Sequence, residues 1–424
     1  MNWTISISLL FLLLMGVPVA ISLGTTSLLA LVFHTSIPTI IITQRLLGGV
    51  NSFLILAIPF FIWAGNVMTE GGVSEKLVNL AHRFVGRLTG GLAMVSTLAA
   101  MFFGAISGSS AATTAAVGSI MVPQMSQKGY SKDFAAATVA ASGLLGLLIP
   151  PSGTAILYAV IADVSILELF LGVIGPGILI GFSFMLLEYI LCKRNGLQNL
   201  EESYNPNTSG LRGSFWALMS PVIVIGGIYS GLFTPTEASA VSVLYAIVIG
   251  FVVYRSLSWK RFYEATLQTA NSSAVVLFMI ATASVFAWVM ATQQIPQDVA
   301  KLITGISNNP KVVLLLINVF LLIVGCFLDN VAAILLVTPV LLPVIKLVGI
   351  DPVFFGIIMV VNLAIGQVTP PVGMNLFVAS NISGVPLARL SRRAVPFVVV
   401  AIADLMLISY VPAIATFIPN LLLH

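Results

Sequence analysis

Long apolar segments alternate with short polar or turn-forming segments along the whole chain. Five of them precede the polar stretch 193–213 and five follow it, and most suit a helix that crosses a bilayer. The first five cover residues 2–15, 17–33, 53–68, 134–162 and 169–191. The second five cover residues 214–229, 238–254, 262–290, 353–380 and 394–418. A soluble core cannot absorb so many apolar segments, so the pattern predicts an all-α polytopic membrane protein.

Two further segments do not fit single crossings. Residues 88–127 carry no charge, and Asp329 lies near the centre of 312–345. Each segment is too long for one crossing and too short for two, and small or polar residues interrupt its middle. Irregular backbone at membrane depth is tolerated only where protein or a watery cavity satisfies it. We therefore predict two re-entrant helical hairpins, at about 91–123 and about 312–345.

An internal repeat relates the two halves of the chain. A shift of 220 residues aligns glycines, prolines and one phenylalanine without a gap: Pro123 with Pro343, Gly129 with Gly349, Phe134 with Phe354, Gly146 with Gly366, Pro150–Pro151 with Pro370–Pro371, and Gly153 with Gly373. The repeat predicts two homologous units, 1–195 and 214–424, joined by a linker at 196–213. In each unit a broken helix follows the hairpin, at about 134–163 and about 353–384. Five crossings per unit place the units in opposite orientations, which is the inverted-repeat plan of secondary transporters.

The positions of the basic residues agree with this plan. If the amino terminus lies outside and the central linker inside, 14 of the 18 Lys and Arg residues face the cytoplasm. The four that face outward are Arg45, Lys301, Lys311 and Lys346. Cytoplasmic loops of membrane proteins carry such an excess. We therefore predict that both termini lie outside, that the linker is cytoplasmic, and that the two hairpins enter from opposite faces.

Composition and missing motifs argue against enzymes and nucleic-acid-binding proteins. The chain is 58% hydrophobic and 8% charged, against about 25% charged in soluble domains. No nucleotide-binding P-loop, Ser/His/Asp set or basic aromatic stripe occurs, and the two cysteines and three histidines are isolated. We therefore expect neither an enzyme nor a nucleic-acid-binding protein.

The two Pro-Pro breaks indicate cation sites. Proline removes a backbone donor and unwinds the helix, which frees carbonyl oxygens near mid-membrane. A hard cation such as Na⁺ suits carbonyl and hydroxyl oxygens, and Ser107, Ser109 and Ser110 offer hydroxyls in the first hairpin. The alternative is that the prolines only kink the helices and that the small residues only pack. Symmetry-related breaks, each paired with a polar hairpin, favour the cation sites.

The centres of the hairpins indicate the substrate site. A carboxylate can bind at half-helix N-termini without a buried basic residue, so we expect the substrate near Ser109, Ser110, Asp329 and Asn330. Asp329 could instead bind a cation, carry a proton or cap a half-helix. A separate helix start at Thr234–Ala238 suggests that Thr236 caps the following helix.

Several of these motifs together resemble the large membrane subunit of tripartite ATP-independent periplasmic (TRAP) transporters of bacteria. They are Ser-Gly-Ser-Ser at 107–110, the twin Pro-Pro breaks, Leu-Ala-Ile-Pro-Phe-Phe at 56–61 and Phe-Thr-Pro-Thr-Glu-Ala at 233–238. The resemblance implies Na⁺-driven uptake of an organic acid by an elevator motion in the inner membrane. It also implies two partners, a small four-helix membrane subunit and a periplasmic binding protein. We expect no fused small subunit, because the chain starts directly with its own first apolar segment.

The resemblance also places two Na⁺ sites on this sequence. The implied positions are Ser107, Ser110, Gly146, Ile149 and Pro151 for one site, and Gly325, Gly366, Thr369 and Val372 for the other. The substrate would be a C4-dicarboxylate, a keto acid or an acidic sugar. The main alternative is a self-sufficient Na⁺ or H⁺ organic-anion symporter that needs no binding protein. An ion channel is disfavoured, because no continuous charged pore-lining segment occurs.

Overall fold

The computed structural model describes residues 2–35, 37–196 and 210–423, and the regular structure of these residues is helical. The first half contains α1 (Asn2–Leu14), α2 (Val19–His34), α3 (Ile40–Val50), α4 (Ala57–Glu70), α5 (Val73–Val85), α6 (Gly91–Ser107), α7 (Ser110–Gln127), α8 (Lys132–Ser142), α9 (Leu145–Leu148), α10 (Gly153–Ala162) and α11 (Ile166–Arg194). The second half contains α12 (Gly210–Tyr229), α13 (Pro235–Val248), α14 (Trp259–Thr292), α15 (Ile295–Ile306), α16 (Pro310–Phe327), α17 (Asn330–Leu347), α18 (Pro352–Gly366), α19 (Met374–Ser383), α20 (Leu387–Tyr410) and α21 (Ala413–Leu423). Most of the predicted linker, 197–209, lies outside the described residues.

The described helices confirm an all-α multi-pass membrane protein. Seven of them are long and apolar enough to cross a bilayer, and the bent unit α8–α10 makes an eighth. The bend in that unit measures 42°. Shorter apolar helices such as α2 and α18 fall below this length because the chain breaks or turns beside them.

The helix order repeats in the two halves. The pair α6–α7 corresponds to α16–α17, the broken unit α8–α10 to α18–α19, and α11 to α20. The halves differ at three places: α3 and α4 correspond to the single 34-residue helix α14, α9 is present only in the first broken unit, and α21 follows α20 in the second half. The pattern of apolar segments does not predict α3, α5 or α15. Helix α5 has a buried apolar face and a charged face, so a search for uniformly apolar segments passes over it.

Two groups of helices pack side by side. In the first group, α14 packs against α2, α3 and α4, and α13 packs against α4. In the second group, the hairpins and broken units pack mainly on one another. Helix α8 lies at the centre of the second group, and its alanines Ala135, Ala136, Ala137, Ala140 and Ala141 are fully buried. Small residues allow membrane helices to approach closely, and here they admit α7, α19 and α20 around α8.

The start of α13 corrects one expectation. Thr234, not Thr236, caps this helix: its Oγ1 accepts from the Glu237 backbone N–H at 3.3 Å, and the Glu237 carboxylate accepts from the Thr234 N–H at 2.8 Å. Proline favours the first helical position, so Pro235 places the cap on the residue before it. Thr236 is buried and donates to the Phe53 carbonyl at 2.9 Å, which joins α13 to the turn before α4.

Candidate functional site

Each hairpin turns at a short polar tip. The first tip passes from Ser107 through Gly108, which has a positive φ of 58° and lies against the Pro151 carbonyl, so that a side chain there would collide with it. Ser109 then caps α7, its Oγ accepting from the Ala112 N–H at 3.4 Å. At the second tip Asp329 caps α17, its carboxylate accepting from the Val331 N–H at 3.1 Å. Both tips therefore begin a helix whose N-terminus points into the protein.

The two tips meet at one cavity of about 550 Å³. Ser109, Ser110, Asp329 and Asn330, the four residues predicted to bind substrate, all line it. The cavity is closed on the other side by α4 and α14, through residues that include Phe61, Ile62, Asn66, Ser272 and Val276. The cavity therefore lies between the two groups of helices.

Side chains beside the second break form hydrogen bonds with both tips. Ser110 Oγ donates to Asn375 Oδ1 at 2.8 Å, and Gln367 Nε2 donates to Asn330 Oδ1 at 2.9 Å. Asn375 also donates through Nδ2 to the Ala140 carbonyl on α8, at 3.1 Å. Sequence reasoning missed Asn375 and Gln367, because a single amide in an apolar segment gives no signal of its own. Their position near the second Pro-Pro pair was the only available clue.

Oxygen atoms converge at the first break. Ser107 Oγ and Thr113 Oγ1 lie 3.0 Å apart, and Thr113 donates to the Ser109 carbonyl at 2.7 Å. A Cβ on Gly146 would lie 2.6 Å from that same carbonyl oxygen. Ser107, Gly146 and Pro151 are therefore brought together around the first tip.

Two other residues predicted for this site have different surroundings. Ile149 begins the break, and its N–H donates to the Leu145 carbonyl at 3.0 Å, which leaves its own carbonyl beyond the helix end. The Ser110 hydroxyl is directed to Asn375. Thr113, which was not among the residues predicted for this site, hydrogen-bonds to both the Ser107 hydroxyl and the Ser109 carbonyl.

The second break brings backbone groups together. A Cβ on Gly366 would lie 2.5 Å from the carbonyl carbon of Gly325, so these two glycines allow α16 and α18 to touch. The carbonyls of Gln367 and Thr369 both face Gly373, at 3.1 Å from the position of a Cβ there. The Thr369 hydroxyl donates to the Ile365 carbonyl at 2.7 Å, and Val372 is half-buried in the same break.

Comparison with known proteins identifies the family. Residues 6–414 match the model of the tripartite ATP-independent periplasmic transporter, DctM component. The chain belongs to this family. It is 45% identical, over 96% of its length, to the isethionate TRAP transporter permease protein DctMQ of Oleidesulfovibrio alaskensis. The chain spans 64% of that longer relative.

Two relatives of similar length and one solved structure extend the comparison. The sialic acid TRAP transporter large permease protein SiaM of Vibrio cholerae is 40% identical, with 97% of each chain covered. The C4-dicarboxylate TRAP transporter large permease protein DctM of Pseudomonas aeruginosa is 40% identical over 94% of each chain. The crystal structure of the Alcanivorax borkumensis YdaH transporter superposes with a TM-score of 0.66 at 15% identity, covering 93% of this chain and 96% of that one. That likeness concerns the fold alone, and the relatives are permeases rather than enzymes.

The charge in the cavity of this DctM family member is negative or neutral. Of the described residues that line the cavity, Asp329 is the one that is ionisable. The positive features are the N-termini of α7 and α17, where backbone N–H groups and the helix dipole favour an anion. At α17 the Asp329 carboxylate already occupies that position, whereas at α7 only the neutral Ser109 hydroxyl does.

Proposed function

We propose that this chain is the Na⁺-coupled large permease of a TRAP importer, and that it carries an organic acid in the cavity between the hairpin tips. One observation supports this proposal above the others: both tips line a single cavity, together with Leu147 and Gly153 beside the first break and Gln367 beside the second. Its relatives are named for isethionate, sialic acid and C4-dicarboxylates, which are all organic anions at neutral pH.

Within the cavity, the first tip is the better site for the acidic group of the substrate. Ser110, Ala111 and Ala112 all line the cavity at the start of α7, where the first N–H groups of a helix have no partner within the helix and the Ala112 N–H makes a long contact of 3.4 Å to the Ser109 cap. Asp329 would repel an anion at the second tip. The substrate carboxylate or sulfonate therefore binds near 110–112, and its neutral portion faces Phe61, Ile62 and the second tip.

The two breaks are proposed to bind Na⁺. Carbonyl and hydroxyl oxygens from Ser107, Ser109 and Thr113 crowd one side of Gly146, while carbonyls of Gln367 and Thr369 converge beside Gly373. Cations adjacent to the tips would balance the charge of an anionic substrate in a cavity without basic residues. Coupling follows from this balance, because each ligand improves the site for the other.

The elevator motion and the topology are proposals of the same kind. Helices α4 and α14 close the cavity from one group of helices, and the tips close it from the other. A sliding movement of the second group past the first would carry the cavity across the membrane. The distribution of Lys and Arg supports periplasmic termini and a cytoplasmic linker.

Reconstituted transport tests the proposal. The chain, its small membrane subunit and its binding protein are placed in liposomes, and uptake of isethionate, sialic acid and succinate is measured with an imposed Na⁺ gradient or with ATP. We expect saturable uptake of one acid that requires the Na⁺ gradient and ignores ATP. Uptake that requires ATP and ignores Na⁺ contradicts the proposal. Uptake by this chain without a binding protein supports the self-sufficient symporter instead.

A further inference from the structure

A second polar cluster lies away from the cavity, where α6, α8 and α11 meet. Glu188 of α11 is 0% exposed, and its Oε1 lies 2.6 Å from Thr97 Oγ1 on α6. Thr97 Oγ1 lies 2.7 Å from Ser142 Oγ on α8, and Ser142 donates to the Thr138 carbonyl at 2.7 Å. None of these residues lines the substrate cavity.

Counting protons fixes the direction of this chain of hydrogen bonds. Three oxygen–oxygen contacts run in series from Glu188 to the Thr138 carbonyl, and each requires one hydrogen. The carbonyl can only accept, and each of the two hydroxyls supplies one hydrogen. Ser142 donates its hydrogen to the Thr138 carbonyl, so the hydrogen between the two hydroxyls comes from Thr97. The remaining hydrogen, between Glu188 and Thr97, must come from the carboxyl group.

An ionised carboxylate fits the same geometry poorly. It would leave one of the three short contacts without a hydrogen, with two oxygen lone pairs facing each other. It would also leave a charge at Oε2, which is buried without a hydrogen-bond partner. Burying a charge without a partner costs far more than burying a neutral carbonyl oxygen.

Among the described residues, weak acids interact with Glu188. Tyr130 and Cys192 are the titratable side chains that interact with it, and both are buried. Helix α6 contains no basic residue, and Lys132 of α8 precedes Ser142 by almost three turns. On α11 the Lys193 ammonium lies over the Tyr189 ring, 5.8 Å from its centroid.

We propose that Glu188 is a proton-binding site: it holds a proton in this conformation and acts as a neutral donor to Thr97. The bound proton joins the first arm of the hairpin, α6, to the broken helix and to α11. Because the site lies outside the cavity, the bound proton does not contact the substrate there.

The second half of the chain makes the equivalent junction without an ionisable group. Asn362 Nδ2 donates to Asn318 Oδ1 at 2.8 Å, and Asn318 Nδ2 donates to Ser409 Oγ at 2.9 Å. These residues lie on α18, α16 and α20, which correspond to α8, α6 and α11. Neutral donors therefore hold both junctions, and a protonated carboxyl supplies in one half what side-chain amides supply in the other.

Infrared spectroscopy of the purified protein tests the proposal. A protonated carboxyl absorbs in the carboxylic-acid C=O region, apart from carboxylates. We expect a band there that is lost in Glu188→Gln and retained in the control Glu168→Gln, which changes a half-exposed carboxylate on the same helix. In Thr97→Val the band should move to higher wavenumber, because its acceptor is gone. Identical acid bands in the parent and Glu188→Gln overturn the proposal.

Function and stability separate a proton site from a cation site. A glutamine amide also donates to Thr97, so Glu188→Gln should keep the thermal midpoint and the Na⁺ concentration for half-maximal uptake. Glu188→Ala should lower the thermal midpoint, because it removes the donor and leaves a void. If Glu188→Gln instead raises the required Na⁺ concentration while the protein stays folded, Glu188 binds a cation and the proposal is wrong.

Discussion

The first hairpin tip presents serine hydroxyls to the cavity, whereas the second tip and its break present the Asp329 carboxylate and two side-chain amides, Asn330 and Gln367. The backbone plan is shared, since both tips cap the following helix with a side chain and both lie beside an unwound Pro-Pro pair. The side chains at the two tips differ, whereas the backbone arrangement of tip and break is the same. Under the proposed function the two tips have separate tasks: the neutral tip binds the anion, and the Asp329 carboxylate caps α17.

The close contacts at the two breaks differ as well. Gly146 faces the Thr113 side chain and the Ser109 carbonyl, so part of its neighbourhood can rotate away. Gly366 faces only the backbone of Gly325 within 2.6 Å, which cannot move without shifting α16. The second break is therefore the more rigid of the two.

The largest effect is expected from Gly366→Ala. The new methyl group would overlap the Gly325 backbone, and overpacking of this kind costs about 1–3 kcal/mol or more. Uptake should be lost at matched membrane expression, while Gly146→Ala should retain a measurable rate. The control is Gly305→Ala on α15, where a Cβ meets nothing within 4 Å. This change should leave uptake intact and stabilise the protein by roughly 0.5–1 kcal/mol. Equal activity of the Gly366 and Gly305 variants would show that the glycine contact is dispensable.

A smaller effect is expected from Thr369→Ala, which tests whether the second break binds Na⁺ through a hydroxyl. The symmetry-related Ile149 has no side-chain oxygen, so the first break cannot use one at this position. Losing one ligand should weaken Na⁺ binding by about 1–3 kcal/mol, or roughly five- to 150-fold in the Na⁺ concentration for half-maximal uptake. Na⁺ titrations of uptake measure this directly.

Thr234→Ala is the matched control for Thr369→Ala. Thr234 caps α13 outside the cavity, so its loss should cost about 1 kcal/mol of stability without changing Na⁺ dependence. If both variants and the parent titrate alike, the Thr369 hydroxyl only satisfies the Ile365 carbonyl.

The smallest effect is expected from Asp329→Asn. Asparagine also caps helices, so α17 should form normally. Removing a like charge from the cavity should lower the KM for the organic acid by roughly two- to fivefold, in the range of a single partly screened charge pair. Ser110→Ala should act in the opposite direction, because it frees the first tip from Asn375. Loss of Na⁺-driven uptake in Asp329→Asn would mean that the carboxylate binds a cation or carries a proton.

The sequence revealed the features that repeat and missed those that depend on tertiary contact. The predicted hairpins rest on the length and polar interruptions of two segments, and the predicted breaks on the repeated Gly and Pro residues, because backbone breaks in a membrane need such residues. The cap at Thr234 was misassigned by two residues, because both threonines flank Pro235 and only the geometry distinguishes them.

The partners of the tips could not be found in the same way. Asn375, Gln367 and Thr113 act through contacts with residues on other helices or on the tip itself, and composition does not reveal which polar residue of an apolar segment turns inward. The role of Glu188 follows from its burial and from its contact with the Thr97 hydroxyl, and neither can be read from the sequence.

The position of the bound acid tests the central claim most directly. A cryo-electron microscopy structure of the complex with its acid and Na⁺ should show the acidic group within hydrogen-bonding distance of the Ser110–Ala112 backbone, in the cavity between the tips. Density for the acid at the outer loops, or with its acidic group against Asp329, would contradict this account.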